Sequence, residues 1–271
     1  MDKTPIGIID MGVENLSILN YLSKAFKYED FIYINDLEVP EYEGLAEDVI
    51  QKRIEANVEK LLSFNVKLII VVSNTIIEYH RNYFNEISVP VVNIVDTIID
   101  YINDNYEHKN MAFIATENII NANLYQKYFK YNHLYNLVSD SMEEFLTKNL
   151  VKTNESFNLT RELIKTVIKK DLSIIIPSSF NMMLIETEIN EFLPNGNILN
   201  INEIMSDKIK AALLAIENFS TKKLGKTTII INVSKKDFKY THLLDVKYKL
   251  ITSFVKKKKV NEIDKLIGTL D

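Results

Sequence analysis

The chain has 271 residues, of which 46% are hydrophobic and 25% are charged, a composition typical of globular proteins. Its formal net charge of −5 disfavours nucleic acid as the main partner, because phosphate binding needs a basic surface. Cysteine is absent, which excludes disulfides, cysteine zinc sites and thiol catalysis. The sequence has neither an apolar stretch long enough to span a membrane nor a signal-peptide pattern, so we expect a cytoplasmic protein without a membrane partner.

Strand and helix patterns alternate along the chain. In chain order, the predicted strands are 5–9, 31–34, 67–72, 89–95, 111–115, 173–177, 197–200 and 228–231. Apolar residues at helical spacing predict helices between them, the longest over about 45–64 and a strongly amphipathic one over 203–219. Residues 132–170 are interpreted as a short extended piece followed by helices, and a last helix is predicted around Phe238 and Leu243. This alternation indicates an α/β protein with parallel sheets.

Two of the predicted strands end in small polar residues. The apolar runs 67–72 and 173–177 are short and β-branched, as buried parallel strands are. Ligands of open α/β sheets bind beyond the carboxyl ends of such strands, so we expect these polar residues to face each other across one cleft. A helix N-cap is an equally good interpretation of Asn74 and Thr75. The polar residues concerned are Ser73, Asn74, Thr75, Ser178 and Ser179.

Several common site motifs are missing. Residues 7–12 lack the lysine and the glycines of a phosphate loop, and neither Ser73 nor Ser178 has the flanking glycines of a nucleophile elbow. The basic run Lys256–Lys259 is interpreted as a solvated stretch. The histidines show no metal-ligand spacing, and we expect no metal site. They are His80, His108, His133 and His242.

Six segments occur in a characteristic order over about 180 residues. They are 5–12 (PIGIIDMG), 35–44 (NDLEVPEYEG), 72–75 (VSNT), 89–96 (VPVVNIVD), 115–125 (ATENIINANLY) and 177–182 (PSSFNM). In this order they resemble the motifs PIGVFDSG, GDxxxxPYG, ACNT, IPVIGVIE, GTxATIxSxxY and GCTHYP of glutamate racemases, in the aspartate/glutamate racemase superfamily. The second segment departs from the family spacing, and the resemblance rests on the order of all six.

This resemblance implies a fold and a reaction. The fold would consist of two Rossmann-like α/β lobes with parallel sheets, related by a pseudo-twofold axis and enclosing a cleft. We predict that residues 1–97 plus 207–271 form the first lobe and 98–206 the second. The family's reaction needs no cofactor, because two cysteine thiolates remove and return the α-proton of glutamate from opposite sides. The resemblance implies that the substrate-binding residues are Asp10, Tyr42, Asn74, Thr75, Thr116 and Ser179.

The departures from the family motifs fall on the residues that carry the chemistry. Both cysteine positions are serine here, at Ser73 and Ser178. The family's following histidine is Phe180, and the serine after the first aspartate is Met11. A hydroxyl is far too weak an acid to act as an anionic base near pH 7. The sequence therefore predicts impaired racemisation, with Asp10 as the best remaining carboxylate.

Three functions follow as hypotheses. We favour a catalytically impaired racemase-like protein, a pseudoenzyme that binds a small amino acid or dicarboxylate between its lobes. The second is an active isomerase or racemase that uses a different acid–base pair, including Asp10. The third is a protein-interaction scaffold. The family's dimers also make a homodimer an expectation.

Overall fold

A computed structural model describes residues 4–37, 45–148, 151–194 and 196–252 of the chain. Its strands are β1 (Ile6–Met11), β2 (Phe31–Asp36), β3 (Leu68–Val71), β4 (Val91–Asn93), β5 (Lys109–Ala115), β6 (Tyr131–Val138), β7 (Ile174–Pro177), β8 (Thr227–Ile231) and β9 (Tyr248–Thr252). The predicted contact residue Tyr42 and the basic run Lys256–Lys259 lie outside the described residues.

Nine α-helices connect the strands within these ranges. They are α1 (Ile18–Ala25), α2 (Glu47–Leu62), α3 (Asn74–His80), α4 (Ile94–Tyr106), α5 (Glu117–Asn121), α6 (Asp140–Thr147), α7 (Asn154–Ile164), α8 (Glu186–Phe192) and α9 (Ile201–Ala215). None of the helices in the described part of the chain is long and apolar enough to cross a membrane.

The strands form two separate parallel sheets. The first has six strands in the order β4-β3-β1-β2-β8-β9, and the second has three in the order β6-β5-β7. Every residue of β1, β3 and β7 is buried, because helices cover both faces of a parallel sheet. The predicted α/β class with parallel sheets is confirmed.

Two helices connect the sheets. After β4, helix α4 leads to β5 in the second sheet, and α9 leads back to β8 in the first. These two helices pack against each other, and α9 also contacts β3 and β4. The division into lobes 1–97 plus 207–271 and 98–206 stays a prediction, and α9 runs through its second boundary.

Two of the predicted elements were wrong. No α-helix forms around Phe238; the region holds one 3₁₀ turn, Thr241–Leu243, followed by strand β9. Phe238 and Leu243 are buried in the hydrophobic core, so their apolar character reflects burial there and not helical periodicity. Residues 197–200, predicted as a strand, contribute only one isolated bridge, between Ile175 and Ile198. The extended piece predicted near 132 is strand β6, which is longer than expected, and helices α6 and α7 follow it as predicted.

Candidate ligand-binding cleft

A cavity of about 590 Å³ lies where the carboxyl ends of the two sheets meet. This volume suits a small-molecule ligand. Strands β1 and β3 end at it from the first sheet, and β5 and β7 end at it from the second. Its lining residues are Met11, Gly12, Glu14, Asn15, Ser73, Asn74, Thr75, Glu78, Tyr79, Thr116, Asn118, Ile119, Asn121, Ala122, Asp140, Glu143, Ser178 and Ser179.

Ser73 and Ser178 line this cavity from different sheets. Ser73 follows β3, Ser178 follows β7, and both side chains are buried. Ser73 occupies the N-cap position of α3 without making a side-chain cap hydrogen bond. The two strand ends that the sequence singled out thus share one cavity. Thr75, Thr116 and Ser179 line it as well.

Asn74 links the two sheets. Its Nδ2 donates a hydrogen bond to the backbone oxygen of Ser178 at 3.0 Å, and its Oδ1 accepts one from the Tyr125 hydroxyl at 2.5 Å. Asn74 is the first residue of α3 and not its N-cap, so the N-cap interpretation is wrong for this residue. Its side chain therefore fixes the position of the second strand end relative to the first.

Asp10 lies behind the cavity wall and is completely buried. Its carboxylate accepts hydrogen bonds from the Tyr33 hydroxyl at 2.5 Å, the Met11 N–H at 2.9 Å and Asn15 Nδ2 at 3.3 Å. Burial raises the pKa of Asp10 to about 7, and the hydrogen bond from Tyr33 opposes this change. The residue is not among those that line the cavity, so it supports the floor of the site through Met11 and Asn15.

Four carboxylates that the sequence analysis did not single out line the cavity. They are Glu14, Glu78, Asp140 and Glu143. Glu143 lies on α6 between the buried residues Met142 and Phe145. The sequence of α6 has the spacing of apolar residues that is typical of any amphipathic helix. The one sequence feature that could have indicated Glu143 as a site residue is its position among the apolar residues of the buried helix face.

Glu143 has an unusual electrostatic environment. Burial raises its pKa to about 8, and the negative charges of Glu14 and Asp140 add to this effect, whereas the hydrogen bond donated by Ser179 opposes it. Burial also raises the pKa of Glu14.

No lysine, arginine or histidine lines the cavity in the described part of the chain. No cluster of metal-ligating side chains occurs within the same residues.

Known proteins share this fold and a weak sequence similarity. The glutamate racemase of Clostridium acetobutylicum is 26% identical over 260 residues, which cover 92% of this chain and 98% of that protein. The structure of Francisella tularensis glutamate racemase with D-glutamate matches with a TM-score of 0.79 at 19% identity, covering 94% of this chain and 98% of that one. The Thermus thermophilus enzyme with β-chloro-D-alanine matches with a TM-score of 0.80 at 20% identity, covering 93% and 97%. No model of a protein family matches the chain.

The chain is thus similar in sequence to glutamate racemases, and its fold matches structures of glutamate racemases and of an aspartate racemase. The α/β fold with two parallel sheets matches the two-lobed glutamate racemase structures, so the predicted architecture is confirmed. The racemase similarity extends over nearly the whole chain and therefore includes both strand ends that line the cavity. Whether Ser73 and Ser178 take the places of the family's cysteines stays a prediction.

The raised pKa of Asp10 predicts how the stability of the protein depends on pH. The folded state keeps the proton up to about pH 7, whereas the unfolded state loses it near the ordinary value of 3.8. The contribution to stability is therefore fully present below pH 4 and is lost as the pH rises to 7. We expect Asp10 to lower the free energy of unfolding by on the order of 3 kcal/mol across this range.

Urea unfolding at pH 5 and pH 8 measures this loss. Asp10→Asn should reduce the loss of stability between these two pH values, and Asp48→Asn, at an exposed side chain, should leave that loss unchanged. Glu143 acts in the same direction up to about pH 8, so Asp10→Asn should remove only part of the slope. A slope that Asp10→Asn does not alter would show that Asp10 is ionised in the folded protein.

Proposed function

We propose that the chain is a racemase-like protein that binds a small amino acid between its two sheets without racemising it at an enzymatic rate. One observation carries this proposal: Ser73 and Ser178, one from each sheet, line a single cavity at the strand ends. A small-molecule ligand fits the volume of the cavity, about 590 Å³. The D-glutamate bound to the Francisella tularensis enzyme supports a small amino acid as the class of ligand.

The chemistry of the two serines supports the loss of activity. Racemisation needs a group that removes the α-proton from one face of the carbon and another that returns it to the opposite face. A thiol can ionise near neutral pH because its ordinary pKa is about 8.5, whereas an alcohol cannot. The described lining residues include no histidine or lysine that could take the proton of Ser73 or Ser178.

An active cofactor-independent racemase or isomerase is the second candidate. The observation that favours it is the presence of Glu14 and Glu143 at the cavity, since a carboxyl group with a raised pKa can serve as a general base near neutral pH. Asp10 is less suited to this role, because it does not line the cavity. A scaffold function receives less support, because a scaffold needs no cleft at the two serines, and an open one is present there.

Calorimetry and proton exchange together test the proposal. Both enantiomers of glutamate, norvaline and ornithine would be titrated into the protein, and their α-protons followed by NMR in D₂O. We expect binding of at least one amino acid and no exchange above the rate without protein. Turnover of about 1 s⁻¹ or faster, a rate within the range of ordinary enzymes, would establish the second candidate instead. Absence of binding by all six compounds would overturn the proposal.

A further inference from the structure

All charged side chains that line the cavity within the described residues are acidic. Four carboxylate side chains line it, and its other described lining residues are neutral. A ligand that brings two carboxylates would place more negative charge beside them, and like charges repel strongly away from bulk water. A ligand with an additional positive charge would complement the site. The acidic lining residues are Glu14, Glu78, Asp140 and Glu143.

Glu143 provides a second, independent observation. Its side chain is 6% exposed, and one of its oxygens accepts a hydrogen bond from the Ser179 hydroxyl. Its other oxygen, Oε2, is buried and has no hydrogen-bond partner within the part of the chain that the structure describes. A buried carboxylate oxygen without a donor is costly, so the site favours a ligand that supplies one.

Glu14 approaches from the other sheet. It follows β1, and its Oε2 accepts a hydrogen bond from the Val13 N–H at 2.9 Å. Its negative charge contributes to the raised pKa of Glu143, and the two side chains line the same cavity. Two anionic groups from opposite sides of a cleft form the natural complement of an ammonium or guanidinium group.

We propose that the cleft binds an amino acid of net positive charge, whose side-chain ammonium or guanidinium lies between Glu14 and Glu143. This inference rests on the proposed function and narrows its ligand from any small amino acid to a cationic one. It opposes the expectation of a dicarboxylate. The α-amino and α-carboxyl groups of the ligand then lie toward the uncharged residues of the cavity, among them Ser73, Thr75 and Thr116.

Three amino acids with five carbons each distinguish the effect of side-chain charge on binding from the effect of size. Ornithine ends in an ammonium, norvaline in a methyl group and glutamate in a carboxylate. Both enantiomers of each would be titrated by calorimetry at pH 8.5, where ornithine keeps its side-chain charge. We expect one enantiomer of ornithine to bind at least tenfold more tightly than norvaline and glutamate.

Variants of single carboxylates test the position of the cation. Glu143→Gln should weaken ornithine binding at least tenfold and change norvaline binding less than twofold. Glu14→Gln should act in the same direction and replaces the first variant if that one does not fold. Glu144→Gln is the matched control, because Glu144 is the next residue on α6, is exposed and pairs with Lys148 outside the cavity.

The pH dependence distinguishes a cation from an anion. Ornithine affinity should rise at least fivefold from pH 6 to pH 8.5 as Glu143 loses its proton, and the raised pKa values of Glu14 and of the buried Asp10 act in the same sense. Norvaline affinity should change less than twofold. Glutamate or norvaline binding as tightly as ornithine would overturn this inference and leave the proposed function intact. If none of the six compounds binds, the proposed function itself fails.

Discussion

Replacing Ser73 and Ser178 together by cysteine is expected to raise α-proton exchange at least 100-fold above that of the unmodified protein. Each general acid–base group contributes about 10²–10⁴-fold, and a thiol is the smallest change that supplies one at each position. The negative charges of Glu14 and Glu143 disfavour a thiolate in this cavity, so the reaction should be followed at pH 8.5–9. NMR in D₂O with both enantiomers of glutamate and ornithine measures the exchange rate.

The two single variants, Ser73→Cys and Ser178→Cys, test whether the two side chains lie on opposite sides of the α-carbon. A thiol at only one position can exchange the α-proton of one enantiomer, but it should not invert the carbon, because the serine hydroxyl that remains on the opposite side is a far weaker acid than a thiol. Ser73→Cys and Ser178→Cys should therefore prefer opposite enantiomers, and only the double variant should racemise. Ser23→Cys/Ser63→Cys introduces the same number of thiols outside the cavity and should have no effect. A double variant at Ser73 and Ser178 without exchange would contradict the placement of these residues beside the α-carbon.

The strand ends could be predicted from the sequence because their signals are local. A continuous apolar run such as 68–72 can only be a buried element, and the abrupt change to Ser73 marks the edge of the sheet. Both serines consequently line the cavity, as do Thr75 and Thr116. Strand β6 was not predicted as fully, because only Leu137 among its eight residues is buried and its apolar pattern is weak.

The charge of the cleft could not be predicted, because it depends on residues that come together only in the folded protein. Glu14 follows β1 of the first sheet and Glu143 lies on α6, which follows β6 of the second sheet, and neither directly follows a strand as the two serines do. Asn74 shows the same limitation, since its hydrogen bond to Ser178 joins residues 104 positions apart. Its amide suits a cap, a ligand contact or a link between lobes equally well, and only the fold decides among them.

Lys67→Met is expected to destabilise the protein by about 3–5 kcal/mol, because it leaves a buried carboxylate without its counter-charge. Lys67 precedes β3 and Glu29 precedes β2, and their side chains form an ion pair at 2.7 Å with exposures of 3% and 4%. Lys67 also donates to the backbone oxygen of Asn218, and Glu29 accepts from the Ser220 N–H. The pair therefore ties two strands of the first sheet to the segment between α9 and β8. Urea unfolding measures the loss.

A second substitution separates the unpaired charge from the lost packing. Glu29→Gln/Lys67→Met removes both charges and keeps an oxygen that can accept from the Ser220 N–H, so most of the lost stability should return. Lys52→Met makes the same change in the exposed pair with Asp48, where solvent screens the charges, and should leave the urea midpoint unchanged. If the double variant is as unstable as Lys67→Met alone, the loss comes from the aliphatic part of the lysine and its bond to Asn218. Recovery in the double variant would instead show that the buried charge of Glu29 causes most of the destabilisation, and that the first sheet depends on Lys67 to neutralise it.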